Sequence, residues 1–493
     1  MRGPKTFGEC LGEMMRGKHI SVADLTRRVN YRSKTSISRL LRDEVRYASI
    51  EDFMGRLEPI AAWLFSEDEM RLLRDSMEVS RLGRQRYRAY QDIWRLVGQP
   101  EEKIIPVTAQ GFGNARNGEL DELIGFWNTA HRLEMILINS GFESLFSRLA
   151  RLLRERPSAD ISIRHYLAIQ DSPGLLAEQL GAMMNVFHDP RYQGYYHARP
   201  DAGGEWHRGD TVHIMLVRGE DAEGEYTQMI VMMSENECAV YESREMEDIM
   251  PFVRQVMGRV CREALPLKTR YPEQALLDGL IVISRRYLGC ELDRTICCLA
   301  PDICFELIPM EILYDVMFDS VLKGCDPEDA QIQELMRIHE ARYRNIHEKR
   351  RKTQFIFSYD SLRRFAETGR TTDHVAGMRA FLPEERAAIL RDVVRKCREN
   401  VYLGVRILRP DVRVRGMTLT TYEALGVYLL DAYTQYDVVN GHSEAFMLTP
   451  DFAETMEEFF RDELIAKHAF SEGESREIME ELAKRCGATG KAE

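Results

Sequence analysis

One short segment near the N-terminus carries side chains whose types and spacing could bind nucleic acid. Four hydrogen-bond donors recur at i, i+3, i+4 and i+7 of the segment 34–44, namely Thr35, Ser38, Arg39 and Arg42. At about 100° per residue these four share one face of a helix, and three apolar side chains project from nearly the opposite face; they are Ile37, Leu40 and Leu41. Hydroxyl and guanidinium groups match phosphate oxygens and the edges of bases. The pattern predicts a helix that packs with one face and binds with the other.

A second amphipathic segment, 22–29, precedes this helix and is separated from it by the polar turn 30–33. Ser21 stands where an N-cap residue is expected, and a further helix is predicted to open with a capping box at Ser49 and Asp52. Asn30 suits the turn because asparagine tolerates the left-handed backbone conformation. Two short helices joined by a tight polar turn are the arrangement that places the second helix in a DNA groove.

Residues 5 to 65 resemble the lambda repressor-like, Xre/Cro-type helix-turn-helix family. Leu25 and Thr26 stand where the family has Leu-Ala, Asn30 stands where it usually has Gly, and 37–39 match its Ile-Ser-Arg. The turn is one residue longer than the commonest pattern, which leaves the register of the contacts open. The resemblance implies binding of double-stranded DNA, with the arginines at 27, 28 and 32 on the backbone. The predicted contact residues are Arg27, Arg28, Arg32, Ser33, Lys34, Thr35, Ser36, Ser38, Arg39 and Arg42.

The local charge agrees with a nucleic-acid-binding segment. Residues 1 to 60 contain 12 Lys and Arg against 8 Asp and Glu, a net charge of +4. Because the net charge of the whole chain is −12, the remaining residues carry a net charge of −16. Positive charge attracts phosphate without reading sequence, and the acidic remainder disfavours wrapping by DNA. The alternative is an ordinary helical hairpin whose arginines are solvated.

Composition predicts a multidomain protein of the reducing cytoplasm. With 493 residues, of which 44% are hydrophobic, the chain is long enough for more than one core, since single cores stop growing at about 250 to 300 residues. No apolar run reaches the ~18 residues of a membrane span, and the N-terminus lacks the apolar stretch of a signal peptide. The ten cysteines show no CxxC pair and fit buried positions better than disulfides. The expected localisation is therefore cytoplasmic, with no membrane partner.

The expected fold class is α+β multidomain: an N-terminal all-α helix-turn-helix domain, then a large mixed α/β body with an internal duplication. A capping box at Ser66 and Glu69 opens a helical extension that could pair two subunits through a helix containing Trp94, and the Gly- and Pro-rich stretch after it is predicted to be the main linker. The predicted domains are 1–66 helix-turn-helix, 67–97 helical extension, 98–118 linker, 119–264 first αβ unit, 265–350 helical middle segment and 351–493 second αβ unit. The charged run near 337–352 is expected to be a solvated helix.

The duplication is predicted from two offsets. At 240 residues, the strand-like segment 161–169 corresponds to 401–409, each after an amphipathic helix; at 206 residues, the segment beginning at Ala239 parallels that beginning at Ala445. Residues 142–258 and 382–464 should then fold as similar units, each with the named strand in the middle of a sheet. Asn440 and Gly441 add a hairpin signal. A cleft between the units is the expected place for a small-molecule or peptide effector. Coincidence between two generic αβ stretches is the alternative.

The residues of the body form no strong motif for a catalytic or metal-binding site. A duplicated αβ body resembles the phospholipase D-like fold, in which each half supplies a His and a Lys two residues on. Here His165, His197, His207 and His442 are followed by Leu167, Arg199, Gly209 and Glu444, so any such member would be degenerate. Two further groups, a redox or zinc cluster and a histidine ligand set, are more simply core and loop residues: Cys290, Cys297, Cys298, Cys304 and Cys325, and His188, His197, His207 and His213. The lone glycine pair Gly111 and Gly113 is too weak to predict a phosphate loop.

These observations predict a DNA-binding transcription regulator that acts by binding and not by turnover, with no catalytic residue, metal or cofactor. One recognition helix covers half of a typical operator, so a homodimer is expected, with recognition helices roughly 34 to 36 Å apart or a multiple of it. Two alternatives stay open: a phosphodiesterase recruited to nucleic acid by the same motif, and a helix-turn-helix used for protein interaction.

Overall fold

The computed structural model describes most of the chain and divides it into two compact units, Met1–Trp94 and Arg95–Glu493. The described residues are 4–98, 127, 129–139, 143–168, 173–187, 189–197, 213–221, 224–234, 237–242, 265–270, 276–291, 294–348, 350–371, 378–431, 443–447 and 449–489. Several predicted features lie outside them: the linker beyond Gly98, the glycine pair at 111 and 113, the hairpin at 440–441, and His188, His207 and His442.

The N-terminal unit is helical. Its helices are α1 Phe7–Gly17, α2 Val22–Val29, α3 Lys34–Leu40, α4 Tyr47–Leu57, α5 Glu67–Leu82 and α6 Arg84–Val97, the last of which ends in the second unit. A 3-10 turn, Glu58–Trp63, follows α4. Ser21 caps α2, and Ser66 and Glu69 form a reciprocal capping box on α5, so both predicted caps are confirmed.

The predicted cap at Ser49 is wrong. Helix α4 begins two residues earlier, at Tyr47, after Arg46, and Ser49 lies inside its first turn. Packing decides the start, because Val45 and Tyr47 lie against the core of the unit and draw the chain into the helix before Ser49. That core also takes in Met70 of α5, so the predicted extension packs on the same helices as the predicted DNA-binding segment.

The second unit holds two seven-stranded mixed sheets. The strands are β1 Arg132–Ile138, β2 Asp160–Ala168, β3 Tyr192–His197, β4 His213–Asp221, β5 Gly224–Ser234, β6 Glu237–Glu242, β7 Leu265–Pro266, β8 Lys268–Arg270, β9 Ile296–Ala300, β10 Thr353–Phe357, β11 Leu403–Ile407, β12 Met417–Tyr422, β13 Gly426–Asp431 and β14 Ser443–Met447. The strand orders are β6-β5-β4-β1-β2-β3-β7 and β11-β10-β9-β12-β13-β14-β8.

Helices make up much of the rest of the described part of the second unit, and some of them provide the crossovers between parallel strands. They are α7 Glu143–Glu155, α8 Pro173–Met183, α9 Leu276–Glu291, α10 Met310–Phe318, α11 Ala330–Glu348, α12 Tyr359–Thr368, α13 Pro383–Glu399, α14 Pro450–Phe459 and α15 Glu472–Thr489, with a short 3-10 turn Phe305–Leu307 and a π-helical stretch Phe460–His468. The apolar faces of α10 to α13 and α15 bury one contiguous core against β9, β10 and β11. A mixed α/β body after a helical N-terminal region is confirmed.

The two sheets share the order and direction of six strands. In the first, β1, β2 and β3 run parallel, and β4, β5 and β6 extend the other side antiparallel. In the second, β9, β10 and β11 run parallel, and β12, β13 and β14 extend antiparallel. The seventh strands differ, since β7 pairs with β3 whereas β8 pairs with β14.

Three predictions about the body need correction. The strand predicted at 401–409 is β11, which lies at a sheet edge and not in the middle, whereas β2 is an inner strand. By strand order β2 corresponds to β10, so the offset of 240 aligns strands that hold different places in their sheets. The offset of 206 aligns β6 with β14, which hold the same place in the strand order.

The middle segment 265–350 is not purely helical, because β7, β8 and the central strand β9 lie in it.

The charged run is also not a purely solvated helix. It belongs to α11, which buries Ile338, His339, Arg342, Ile346 and His347. Sequence charge misleads here because a buried arginine is tolerated when carboxylates compensate it.

Candidate nucleic-acid interface

Helix α2 and the turn after it have the predicted geometry. The Ser21 hydroxyl accepts a hydrogen bond from the Asp24 backbone N–H at 3.1 Å and so caps α2. Asn30 ends the helix in the left-handed conformation, with φ 49° and ψ 46°. The Tyr31 N–H then returns to the Thr26 carbonyl oxygen at 3.1 Å, which closes the helix end. The predicted role of Asn30 is confirmed.

Ser33 and Ser36, two predicted contact residues, build the start of α3. Ser33 is the N-cap, and its hydroxyl accepts from the Ser36 N–H at 3.1 Å while the two hydroxyl oxygens lie 3.0 Å apart. Capping by Ser33 satisfies one of the free N–H groups at the helix start. Both hydroxyls are therefore engaged in holding the helix.

The predicted division of α3 into two faces is confirmed for the part that is helical. Ile37 and Leu40 are fully buried in the core of the N-terminal unit. Lys34, Thr35 and Arg39 are exposed, whereas Ser36 and Ser38 are half-buried. The exposed part of α3 thus presents an ammonium, a hydroxyl and a guanidinium group to solvent.

Arg42 is not on the helix, contrary to the prediction. Helix α3 ends at Leu40, and the chain turns through Leu41 to Asp43, which has φ 56°. The Asp43 carboxylate accepts from the Gly8 N–H at 3.0 Å and from the Thr6 hydroxyl at the start of α1. Because this anchor pulls the chain out of helical geometry, Arg42 projects from the turn.

Gly8 makes this anchor sterically feasible. A Cβ atom at this position would overlap the Leu40 carbonyl oxygen, so only glycine lets the end of α3 approach the backbone of α1 this closely. This contact could not be predicted from local sequence patterns, because Asp43 and Gly8 are 35 residues apart. The orientation of α3 depends on both residues.

The basic side chains around α3 are exposed and only weakly neutralised. Arg27 lies 3.3 Å from Asp24, Arg32 lies 3.3 Å from Asp52, and Arg42 lies 4.0 Å from Glu44. A hydrogen bond from Ser21, with the charges of Arg27 and Arg28, holds the pKa of Asp24 below its usual range. Exposed pairs of this kind contribute about 0 to 1 kcal/mol each, so a phosphate can replace the carboxylate at little cost.

Arg56 supports the turn and was missed from the sequence. Its Nη1 donates to the Asn30 carbonyl oxygen at 3.1 Å and its Nε donates to Asp52 at 3.2 Å, while the guanidinium lies 5.8 Å from the centre of the Tyr31 ring. The signal that could have identified it is the i,i+4 pair of Asp52 and Arg56 on α4.

The cysteine and histidine groups of the body do not assemble a site among the described residues. Four of the five cysteines are buried and Cys325 is exposed, which confirms the interpretation of the first four as core residues. Burial raises the pKa of the Cys290 thiol to about 11. In the described part of the chain, no three His, Cys, Asp or Glu side chains are grouped to hold a metal ion.

Of the histidines in the first sheet, His165 is buried in the core and His213 is half-buried. His165 is fully buried, with its Nδ1 2.9 Å from the Tyr192 hydroxyl, and burial lowers its pKa to about 3. His213 lies at the start of β4 with its Nδ1 against the Asn139 carbonyl oxygen, and burial lowers its pKa also. His197 ends β3. The imidazoles of His165 and His213 are neutral at pH 7.

Comparisons with known proteins add little. No family model matches this chain, and no curated protein matches it. Among solved structures, phosphatidylserine synthase of Haemophilus influenzae Rd KW20 is similar over 76% of this chain and 91% of its own, at 9% identity and a TM-score of 0.27. That score carries neither fold nor activity to this chain. Of the helices in the described ranges, none combines the length and the apolar character that a bilayer crossing needs.

Proposed function

We propose that this protein is a cytoplasmic DNA-binding transcription regulator whose α2, turn 30–33 and α3 form a helix-turn-helix. The observation that carries the proposal is the two-faced character of α3, in which Ile37 and Leu40 are buried and Arg39 is exposed among other donors. The resemblance of residues 5 to 65 to the lambda repressor-like, Xre/Cro-type family supports it.

The proposed roles follow from the placement of each donor. Lys34, Thr35 and Arg39 on α3 would face base edges and phosphates, and Ser38 would contribute where DNA covers its half-buried hydroxyl. Arg27, Arg28 and Arg32 on α2 and the turn would bind the phosphate backbone. The Ser33 and Ser36 hydroxyls would keep α3 capped, and Arg42 would reach a phosphate from the turn.

The body is proposed to join two copies and to sense an effector. Two recognition helices about 34 to 36 Å apart, or a multiple of it, would require an inverted-repeat operator. A small-molecule or peptide effector that favours one body conformation would then change operator affinity.

We further propose that the two sheets arose by internal duplication. Beyond the six shared strands, the segment that follows each set of strands returns to the outer parallel strand of its own sheet, β3 in the first sheet and β11 in the second. Leu267 donates to Gly194 on β3 at 2.8 Å, and Phe470 donates to Ile407 on β11 at 2.8 Å, although the latter segment forms only an isolated bridge. A degenerate phospholipase D-like body without His-x-Lys pairs is one origin compatible with this order.

The experiment is a selection of DNA fragments with the purified full chain, followed by titration of the selected duplex and a scrambled duplex at several salt concentrations. We expect tighter binding of the selected duplex and a linear fall of log affinity with log salt, because cations on the protein displace counterions. The double variant Arg28→Gln/Arg32→Gln should weaken both duplexes and reduce the salt slope by about two.

Three outcomes would overturn the proposal. Equal affinity for both duplexes would leave only non-specific attraction, and absence of salt-sensitive binding would favour a protein-interaction role for the helix pair. Cleavage of the duplex in the presence of divalent metal would favour the phosphodiesterase alternative. Sedimentation of the complex with its selected site tests the dimer.

A further inference from the structure

The connection between β11 and β12, residues 408–416, crosses one end of the second sheet. In the strand order β11-β10-β9-β12, the two strands that this loop joins are separated by β10 and β9. Leu419 of β12 pairs with Leu299 of β9 in antiparallel register, so β12 starts beyond the C-terminal end of β9. The loop therefore passes over the C-terminal ends of the parallel strands, where open α/β sheets usually bind ligands.

The corresponding connection in the first sheet carries the same residue types. The loop after β11 contains Arg409-Pro-Asp and then Arg415-Gly, and the chain between β3 and β4 contains Arg199-Pro-Asp and then Arg208-Gly. A turn explains Pro followed by Asp, because these residues favour turn positions. It does not require the preceding arginine or the second one, yet both recur in the same sequence order, six residues apart after β11 and nine residues apart after β3, which points to a role in binding.

The turn in the second loop is well formed and leaves two arginines available. The Val412 N–H donates to the Arg409 carbonyl oxygen at 3.0 Å, which closes the turn around Pro410. Arg409 and Arg413 are exposed, and no other described residue forms a hydrogen bond or an ion pair within 4 Å with either guanidinium. Asp411 is exposed between them, and the charge of Arg409 also acts on Glu474, without an ion pair.

The third arginine of the loop holds the end of α6. The Arg415 N–H donates to the Val97 carbonyl oxygen at 2.7 Å, and its Nε donates to the Gly98 carbonyl oxygen at 3.0 Å. Gly98 also forms an antiparallel bridge with Val414. The loop is thus anchored on one side and open to solvent on the other.

We infer that loop 408–416 is a binding site for a small multivalent oxyanion, of phosphate or carboxylate chemistry, held between the guanidinium groups of Arg409 and Arg413. Guanidinium groups bind such oxygens in bidentate geometry. Because Arg415 anchors the same loop to Val97 and Gly98, occupation of the site stabilises the end of α6. This site would be the effector site of the proposed regulator, and in that respect it rests on the proposed function.

The test is calorimetric titration of the full chain with pyrophosphate, and with citrate in a parallel arm to separate phosphate from carboxylate chemistry. The double variant Arg409→Gln/Arg413→Gln should bind at least about tenfold more weakly than the parent chain. The matched control is Arg363→Gln/Arg364→Gln, which removes the same charge from two exposed arginines of α12 and should bind as the parent does.

Hydrogen exchange at Val97 and Gly98 gives a second measurement without DNA. Exchange there should slow when the anion binds, and Arg415→Gln, which removes the Nε hydrogen bond to Gly98 but keeps the backbone contacts, should reduce the slowing while leaving anion affinity within about twofold. Equal weakening in both double variants, or no saturable binding of either anion, would overturn the inference. Since no step uses DNA, loss of this site leaves the DNA-binding proposal intact, and failure of DNA binding leaves the anion site intact.

Discussion

Two arginines of the N-terminal unit, Arg27 and Arg32, and one arginine of the body, Arg342, have opposite surroundings. The side chains of Arg27 and Arg32 are 78% and 67% exposed, and each lies 3.3 Å from one carboxylate. Arg342 of α11 is 7% exposed, and its Nε and Nη2 donate to Glu291 Oε1 at 2.9 and 2.7 Å. Glu306 lies 3.5 Å away, and the Tyr287 ring centre lies 4.3 Å from the guanidinium.

The difference separates arginines that serve stability from those that could serve binding. A buried guanidinium must be compensated on every side, because leaving its partners unpaired in a low-dielectric interior is expensive. Burial raises the pKa of Glu306 even though the charge of Arg342 acts to lower it, so the cost of burying this carboxylate charge exceeds the attraction of the guanidinium. An exposed guanidinium is solvated by water and needs no fixed carboxylate partner, so it can exchange water or a carboxylate for phosphate. Removal of each class should therefore be measurable in a different assay.

The largest expected effect is at Arg342. Arg342→Ala leaves Glu291 and Glu306 buried without their cation, and we expect a loss of about 3 to 5 kcal/mol in the free energy of unfolding of the body. The control is Arg344→Ala on the same helix, whose exposed pair with Glu340 should contribute less than about 1 kcal/mol. Urea denaturation monitored on the body transition checks both. Similar losses in the two variants would remove the distinction between the classes.

The second effect is at Arg39 and concerns affinity. Arg39→Ala should weaken binding of the selected duplex by about 1 to 3 kcal/mol if the side chain reads a guanine. The exposed Arg39 also donates to the Glu44 carbonyl oxygen at 3.0 Å, and we expect its removal to change stability by no more than about 0.5 kcal/mol. Arg71→Ala on α5, another exposed arginine of the same unit, should leave affinity unchanged. Equal affinity of parent and Arg39→Ala would show that this face does not read DNA.

A smaller effect is expected at Asp43, which links stability to binding. Asp43→Ala removes the acceptor for the Gly8 N–H and the Thr6 hydroxyl, at a cost of about 0.5 to 2 kcal/mol for the N-terminal unit, by analogy with helix caps. Because the anchor orients α3, affinity for the selected duplex should fall more than affinity for the scrambled one. Asp75→Ala, an exposed carboxylate on α5, is the control. A uniform fall for both duplexes would mean that Asp43 acts through charge or folding alone.

The sequence predicted features that depend on near neighbours. Ser21, Asn30 and the capping box at Ser66 are confirmed because caps and turns involve residues a few positions apart. The packing face of α3 is confirmed for the same reason, since helical periodicity is local. The end of α3 was not predictable in this way, because its anchor joins Asp43 to α1.

Long-range pairing accounts for what the sequence did not predict in the body. Arg342 and Glu291 are 51 residues apart, so the charged run gave no sign of its buried partner. Strand order is likewise set by pairing between distant segments, and the offset of 240 aligned β2 with an edge strand. The repeated Arg-Pro-Asp lies at a further offset, 210, and is noticed only when the two sheets are compared by strand order, in which it follows β3 and β11.

The body also buries histidines, and their protonation links its stability to pH. His347 of α11 is 4% exposed, its ring centre lies 4.2 Å from that of Tyr343, and neither ring nitrogen has a hydrogen-bond partner among the described residues. Burial, together with Lys396 and Arg395 of α13 and against the attraction of Asp392, lowers its pKa to about 4. The folded state thus keeps His347 neutral where the unfolded chain takes up a proton.

Stability must therefore fall as the pH falls below about 6.5, and the loss continues to about pH 4. For one such histidine we expect about 1 kcal/mol between about pH 7 and about pH 5.5. His347→Phe should remove that part of the pH dependence, because phenylalanine fills a similar volume and sacrifices no hydrogen bond of the ring. His131→Phe, at an exposed position of the body, should retain the parent's pH dependence. Unfolding of the body measured at several pH values decides the point, and an unchanged slope for His347→Phe would mean that its ring is hydrated in solution.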